Sequence, residues 1–314
     1  MSVAWIFPGQ GAQAVGMGRD LYSEIPAARA VFDEADSVLD VNVSRLCFEG
    51  PEEALTATKH AQPALLTTSI ALLRAVESLL PGGFENRLPL AVAGHSLGEY
   101  SALVAGRALD FATALQLVRQ RGTLMAASDE GGMAAIIGLD AEVVEEVCGA
   151  VSDQVGRPVV VANVNAPGQL VISGDTGAVE QACTELRERG AKRALPLRVS
   201  GAFHSPLMGH VREGMAAAVG AATIADVAVP LVANVSGQPI TAAQDIRDEL
   251  VSQVCSPVLW VQSVRWMVDQ GVTTFVEFGP GQVLTGLIRR IAPGVQMVNV
   301  RGGDDVRAFV EASC

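Results

Sequence analysis

A serine between two closely spaced glycines stands in "AVAGHSLGEY", residues 91–100, where Gly94-His95-Ser96-Leu97-Gly98 follows a run of small apolar residues. That spacing fits a nucleophile elbow, a sharp strand-to-helix turn that pushes a hydroxyl out at the edge of a sheet. The first amide of the following helix then faces a developing oxyanion. An ordinary helix-capping serine is the competing reading, and the strand before and helix after favour the nucleophile. A hydroxyl near neutral pH needs a base, and the chain offers four histidines: His60, His95, His204 and His210. His95 adjoins Ser96 on the turn, so it points elsewhere and is expected to line the pocket. His60, in "TKHAQPAL", and His210, in "PLMGHVREGM", read as surface residues of helices. His204, in "SGAFHSPLM", follows a strand and precedes Ser205-Pro206, an N-cap with proline in the first turn. Rigid flanks at the carboxyl end of a strand suit a base that points into a crevice, with a satisfied structural histidine as the alternative.

Arg121 bears on what the serine would carry. At about 100° per residue along "FATALQLVRQRGTLM", Phe111, Ala114, Leu115, Leu117, Val118, Leu124 and Met125 form one apolar arc. Arg121 projects within it, whereas Arg119 falls on the polar side with Gln116 and Thr123. A guanidinium on a buried face is costly unless an anion pairs with it. That anion is either a structural Asp or Glu, or a substrate carboxylate held by two parallel bonds. Acids near the later strand ends are few, Glu277 being the clearest, and none reproduces the serine, acid, histidine order of α/β-hydrolases. "GQGAQAVG" has the wrong glycine spacing for a dinucleotide loop and no phosphate-binding lysine, so a nucleotide cofactor is not expected. Its Gln10 amide could still face an oxyanion.

The elements that must position these residues follow an α/β rhythm. "VAWIF" is a short apolar strand running into a Pro/Gly loop, then a helix over "DLYSEIPAARAVFDEADSVL". "QPALLTTSIALLRAVESLL" has helical spacing, "LPLAVAG" reads as a buried parallel strand, and "LGEYSALVAG" and "FATALQLVRQRGTLMAA" follow as helices. The rhythm changes at "SDEGG", a linker, after which strands and helices run in the order βαββαβ up to "AKRALPLRV". That order predicts a ferredoxin-like unit over residues 128–198. The α/β pattern then resumes, with "VPLVANV", "TTFVEF" and "VQMVNV" as strands. The fold expected is a discontinuous large α/β domain, residues 1–127 and 199–314, around a parallel sheet.

The length of 314 residues allows a substantial core, with 49% hydrophobic and 18% charged residues. No apolar run is long enough to span a bilayer, and "MSVAWIFPGQ" lacks a signal peptide's basic start, so a cytoplasmic protein is expected. Cys47, Cys148, Cys183, Cys255 and Cys314 are scattered, with no Cys-x-x-Cys pair, which reads as free thiols with neither disulfides nor a metal site. A net charge of -12 disfavours nucleic acid, and any acidic partner must meet a local basic patch.

Taken together, "FPGQGAQ", "GHSLGEYSALVAG", "RQRGTLM", "NVNAPGQLVISG", "GAFHSPLM", "SPVLW" and "EFGPGQVLTGL" resemble the malonyl-CoA:acyl carrier protein transacylase family of fatty acid and polyketide synthesis. The resemblance covers nearly the whole chain and implies a hydrolase-like α/β domain with a ferredoxin-like insert. It implies that Ser96 is the nucleophile and His204 its base, with the Gln10 and Leu97 amides as the oxyanion hole. The backbone carbonyl of Gln253 would orient His204, which would account for the missing acid. Arg121 would bind the malonyl carboxylate, with His95, Phe203 and Asn163 around the acyl group. "GAFH" departs from the "HAFH" often seen in malonyl-selective polyketide modules, yet Phe203 is kept, and its bulk would disfavour an α-methyl branch. The implied partners are a coenzyme A thioester and a phosphopantetheinylated acyl carrier protein, with no further cofactor. The carrier would dock at Lys192, Arg193, Arg289 and Arg290. A polyketide-serving acyltransferase using another acyl-CoA, a serine thioesterase and a non-catalytic carrier-binding scaffold are the alternatives.

Overall fold

The structure, a computed structural model, describes residues 2–313 apart from Asp40, Asn86, Asp129 and Ser200. Cys314 and the Asp129 of the linker therefore lie outside the described residues. Among the described residues, ten strands form two sheets. The larger takes β1 (Val3–Phe7), β2 (Ala91–Gly94), β7 (Leu231–Val232), β8 (Pro239–Ile240), β9 (Thr274–Phe278) and β10 (Gln296–Val300) in the order β10-β9-β1-β2-β7-β8. All its pairings are parallel except the short β7–β8 edge.

Alternation along the strands decides what covers each face. Trp5, Phe7, Val92, Val276 and Phe278 point into a core shared with helices Pro26–Val38, Thr58–Leu79 and Phe111–Ala126. Ala4, Ile6, Ala91, Ala93 and Phe275 point the other way, onto Trp260, Val264 and Met267 of helix Trp260–Asp269 and Leu284 and Ile288 of helix Val283–Ile291. A parallel sheet buried on both faces needs apolar residues at successive positions, which these strands supply.

The smaller sheet holds β3 (Gly132–Ile137), β4 (Val159–Ala166), β5 (Gln169–Gly174) and β6 (Arg193–Pro196) in the order β4-β5-β3-β6, all antiparallel. Helices Ala141–Val155 and Thr176–Glu188 pack on it through Val144, Val147, Val151, Ala178, Ala182 and Leu186, which makes it the ferredoxin-like unit. Backbone bonds stitch it to the large domain: the Val164 amide donates to the Val258 carbonyl and the Val258 amide to that of Ala162, both at 2.9 Å.

Two elements differ from the sequence reading. The helix expected over "DLYSEIPAARAVFDEADSVL" breaks into Arg19–Glu24 and Pro26–Val38, because Ile25 precedes a proline and is extended (φ -121°, ψ 108°). "VPLVANV" supplies only the two residues of β7, and the chain then turns at Asn234, whose amide leaves the sheet to bond a glutamate side chain.

Register brings the chemistry to one edge. Phe7 lies beside Gly94, Ile6 beside Glu277 and Ala93 beside Val232. The loops that follow β1, β2, β7 and β9 therefore emerge together at the carboxyl end of the sheet, where α/β folds bind ligands.

Candidate active site

The elbow is built from two close approaches. A Cβ at Gly94 would collide with the backbone of Gly98, and a Cβ at Gly98 would collide with the Phe7 carbonyl, so the motif's flanking glycines let helix Gly98–Ala105 press against the sheet. Ser96 itself takes a left-handed backbone conformation, φ 51°, which a non-glycine residue adopts only under constraint. Two side chains clamp it. The Asn234 Oδ1 accepts from the Ser96 amide at 2.7 Å, and the Gln253 Nε2 donates to the Ser96 carbonyl at 3.0 Å.

His204 is the second left-handed residue at the site, φ 59°. Its Nε2 lies 2.8 Å from Ser96 Oγ. Its Nδ1 faces two carbonyls, Gln253 at 2.9 Å and Ser256 at 3.1 Å. Carbonyls only accept, so Nδ1 carries the hydrogen and Nε2 presents its lone pair to the serine hydroxyl. Burial, reinforced by the Arg121 charge, pushes the His204 pKa down to about 3, so the imidazole is neutral. Ser205 caps the turn Pro206–Met208 that follows, and its hydroxyl also donates to the Ala202 carbonyl at 2.6 Å, which fixes the loop around the histidine.

Arg121 is 1% exposed. Its Nη1 donates to Gln62 Oε1 at 2.9 Å, and its Nη2 to Gln253 Oε1 at 2.9 Å and to Ser96 Oγ at 3.0 Å. Its Nε is buried without a partner, and the guanidinium carbon stands 5.9 Å from the Tyr100 ring centroid. Among the described residues no carboxylate lies within ion-pair distance of it. A structural salt bridge, one of the two explanations for a buried-face arginine, is thus not what holds Arg121. Burial lowers its pKa from the ordinary arginine value, and it remains a cation whose hydrogen-bond partners are all neutral.

These groups open on a cavity of about 340 Å³ lined by Ser96, Leu97, Gln10, Arg121 and His204, with His95, Asn163 and Phe203 also on its wall. Met125, Met133, Leu197 and Val199 make the rest of the wall largely apolar. The amides of Gln10 and Leu97 donate to no acceptor among the described residues. Gln253 sits behind the cavity, fully buried. His95 turns away from the serine and bonds Asn165 Oδ1 at 2.7 Å. His60 bonds the Ala54 carbonyl and His210 is exposed, so neither joins the site. Glu277 bonds the start of helix Val283–Ile291 and not His204. Lys192, Arg193, Arg289 and Arg290 are exposed and lie outside the cavity lining, with Arg290 bonded to Gln169 and the Pro167 carbonyl. Arg198, which belongs to none of the motifs, lines the cavity mouth.

A strained serine bonded to a neutral histidine, beside two amides without acceptors among the described residues at the carboxyl end of a parallel sheet, defines the class as an α/β enzyme of acyl transfer, to water or to another acceptor. Comparison with known proteins agrees: residues 4–300 match the acyl transferase domain family. The chain is 46% identical over 312 residues to the malonyl CoA-acyl carrier protein transacylase of Bacillus subtilis (strain 168), covering 98% of this chain and 96% of that one. An acyl-carrier-protein S-malonyltransferase from Bartonella henselae superposes with a TM-score of 0.95 at 42% identity, covering 99% of both chains. A malonyl-transacylase solved in complex with a type II PKS acyl-carrier protein superposes at 0.93 with 40% identity, covering 99% of this chain and 100% of that one. The chain belongs to the malonyl CoA-acyl carrier protein transacylase family.

Among the described residues no helix is long and apolar enough to cross a membrane, and no group of three or more metal-ligating side chains occurs. Sequence reasoning did not find Asn234, Gln62, Asn165 or Glu99. Each acts through a partner distant in the chain, and no local spacing marks it.

Proposed function

We propose that this chain transfers a malonyl group from malonyl-CoA to the phosphopantetheine thiol of an acyl carrier protein through a malonyl ester of Ser96. The observation that carries the reading is Arg121, a buried cation with no carboxylate partner among the described residues, 3.0 Å from Ser96 Oγ. A buried guanidinium beside a nucleophile favours an acyl group that brings its own carboxylate. The names of the relatives support the same donor and acceptor.

In the first half-reaction His204 Nε2 takes the Ser96 proton as Oγ attacks the thioester carbonyl. The Gln10 and Leu97 amides donate to the tetrahedral oxygen, and the C–S bond breaks as His204 returns the proton to the departing CoA thiolate. In the second, His204 deprotonates the carrier thiol, which attacks the ester; the proton returns to Ser96 Oγ. Atoms and protons balance with these groups alone. The Gln253 and Ser256 carbonyls fix the tautomer of His204 without placing a carboxylate behind it. The histidine's own support therefore brings no anion to compete for Arg121.

Phe203, 6% exposed on the cavity wall, narrows the space beside the acyl group and favours malonyl over branched analogues. Lys192, Arg193, Arg289 and Arg290 give a carrier a local basic surface on a chain of net charge -12. A cytoplasmic setting agrees with the unpaired thiols Cys47, Cys148, Cys183 and Cys255.

The test is intact mass and peptide mapping after mixing with malonyl-CoA. The adduct should sit on Ser96 and move to the carrier thiol when carrier is added. Full transfer with Ser96 unmodified, or release of free malonate in place of acyl-carrier, would overturn the reading.

A further inference from the structure

Beneath the elbow lies a carboxylate that the mechanism does not use. Glu99 is 0% exposed in helix Gly98–Ala105, three residues past the nucleophile. Its Oε1 accepts from the Asn234 amide at 2.9 Å, and its Oε2 accepts from the Gln253 side-chain Nε2. Those two residues are the clamp on Ser96. Asn234 takes the Ser96 amide and also donates through Nδ2 to the Gly94 carbonyl at 2.7 Å. Gln253 takes the Ser96 carbonyl, receives Arg121 on Oε1, and offers its own carbonyl to His204.

The orientation of the Gln253 amide follows from these neighbours. Its nitrogen faces two acceptors, Glu99 and the Ser96 carbonyl, and its oxygen faces a donor, Arg121. Were it reversed, nitrogen would oppose nitrogen at Arg121 and oxygen would oppose oxygen at Glu99 and Ser96. Glu99, together with the Ser96 carbonyl, therefore sets the polarity of the amide that meets Arg121. The row Glu99, Gln253, Arg121 is also the nearest thing to a counter-charge that the protein gives its arginine.

A second buried acid, Glu249, meets Glu99 from helix Ala243–Ser252 and accepts from the Val235 amide at 2.9 Å. Burial and this neighbour hold the Glu99 carboxyl well above the ordinary range.

The geometry points to Glu99 as a positioning residue of the transfer reaction, fixing the Gln253 side-chain amide and through it the acyl-binding arginine. This assignment rests on the malonyl reading above, because the arginine arm of the network matters only for an acyl group that ends in a carboxylate.

Glu99→Gln tests it. A glutamine has one acceptor oxygen for two donors, so its NH2 must oppose either the Asn234 amide or the Gln253 nitrogen. The Gln253 arm then loosens or inverts, and Arg121 loses its aim. Misplacement of a binding group by an ångström costs about 100-fold. The kcat/KM for acylation of Ser96 should fall by about that factor with malonyl-CoA, and by much less with acetyl-CoA, which does not need Arg121. Glu249→Gln can still accept from Val235 and donate to Glu99, so the malonyl to acetyl preference should stay near that of the unsubstituted enzyme. Should Glu99→Gln not fold, Gln253→Leu keeps the backbone carbonyl on His204 but removes both the relay and the bond to the Ser96 carbonyl, so both donors should lose rate and malonyl-CoA markedly the more.

Equal losses with both donors, or equal losses in the two glutamate variants, would make Glu99 a structural anchor and overturn the assignment. A malonyl preference that survives Gln253→Leu would do the same. An unsubstituted enzyme with no preference for malonyl would instead overturn the functional reading, and the Glu99 assignment with it.

Discussion

Two buried ionisable side chains lie at the carboxyl end of the large sheet and are treated in opposite ways. Glu277, on β9, is fully saturated. It accepts from the Leu284 amide at 3.1 Å, the Thr285 amide at 2.9 Å, the Thr285 hydroxyl at 2.6 Å and Asn299 Nδ2 at 3.0 Å. Arg121, facing the end of β2, has only neutral partners among the described residues, and its Nε has none. The fold closes every bond around the first charge and leaves the second open toward a cavity. Burial with complete hydrogen bonding suits a structural role, and a buried cation with a deficit beside an open cavity suits the binding of an anionic ligand.

Arg121→Ala is the strongest test of that contrast. It should lower kcat/KM for malonyl transfer by roughly 100- to 1,000-fold, the usual loss of a preorganised charged donor, while acetyl transfer changes little. Parallel losses with both acyl-CoAs would place Arg121 in the same structural class as Glu277.

Glu277→Ala should do the converse. It leaves buried amides and Asn299 without an acceptor, at a cost of about 2–4 kcal/mol in unfolding free energy by denaturant titration. The malonyl to acetyl ratio should stay unchanged, and a change in that ratio would break the comparison. Phe203→Ala should relax selection against a methyl branch by about 10-fold, since methylene-sized discrimination is worth about 1–3 kcal/mol. Competition between malonyl-CoA and methylmalonyl-CoA measures it, and an unaltered product ratio would free Phe203 of that role.

The smallest effect sharpens the comparison through pH. In the proposed reaction His204 is the neutral base, and burial with the Arg121 charge holds its pKa down at about 3. The acid limb of kcat/KM, which reports the free enzyme, should therefore lie well below the ordinary histidine value of 6.5. A malonyl carboxylate on Arg121 removes part of that depression, so the limb in kcat should move upward. With acetyl-CoA the two limbs should stay together, and a common limb for malonyl would deny the coupling. For stability the sign is fixed: between 6.5 and about 3 the unfolded chain binds a proton at His204 that the folded one refuses. Folding stability from this residue is thus lost as pH falls through that window.

The elements legible in the sequence were those with strong local signatures. The βαββαβ order announced the small sheet, and the apolar arc of helix Phe111–Ala126 pointed Arg121 inward. Where local rules competed, the reading failed, as at Ile25, where proline overrode helical periodicity. Glu99 was hidden for a related reason. Every residue of Gly98–Ala105 is buried, so the helix has no polar face to betray which of its side chains is working. Glu277 is the clearest acid near a later strand end in the sequence, and its bonds run to the helix behind it.

By itself the sequence determined which groups could react. The elbow glycines, the proline-flanked histidine and the arginine on an apolar arc are properties of residue type and spacing, each written within a few positions of its own motif. Tertiary structure decided what holds them in place. Ser96 meets Asn234, His204 meets the Gln253 carbonyl and Arg121 meets Gln62 across separations of 138, 49 and 59 residues. Hydrogen bonds act over about 3 Å of space whatever the distance along the chain, so only the assembled sheet and its loops could choose those partners.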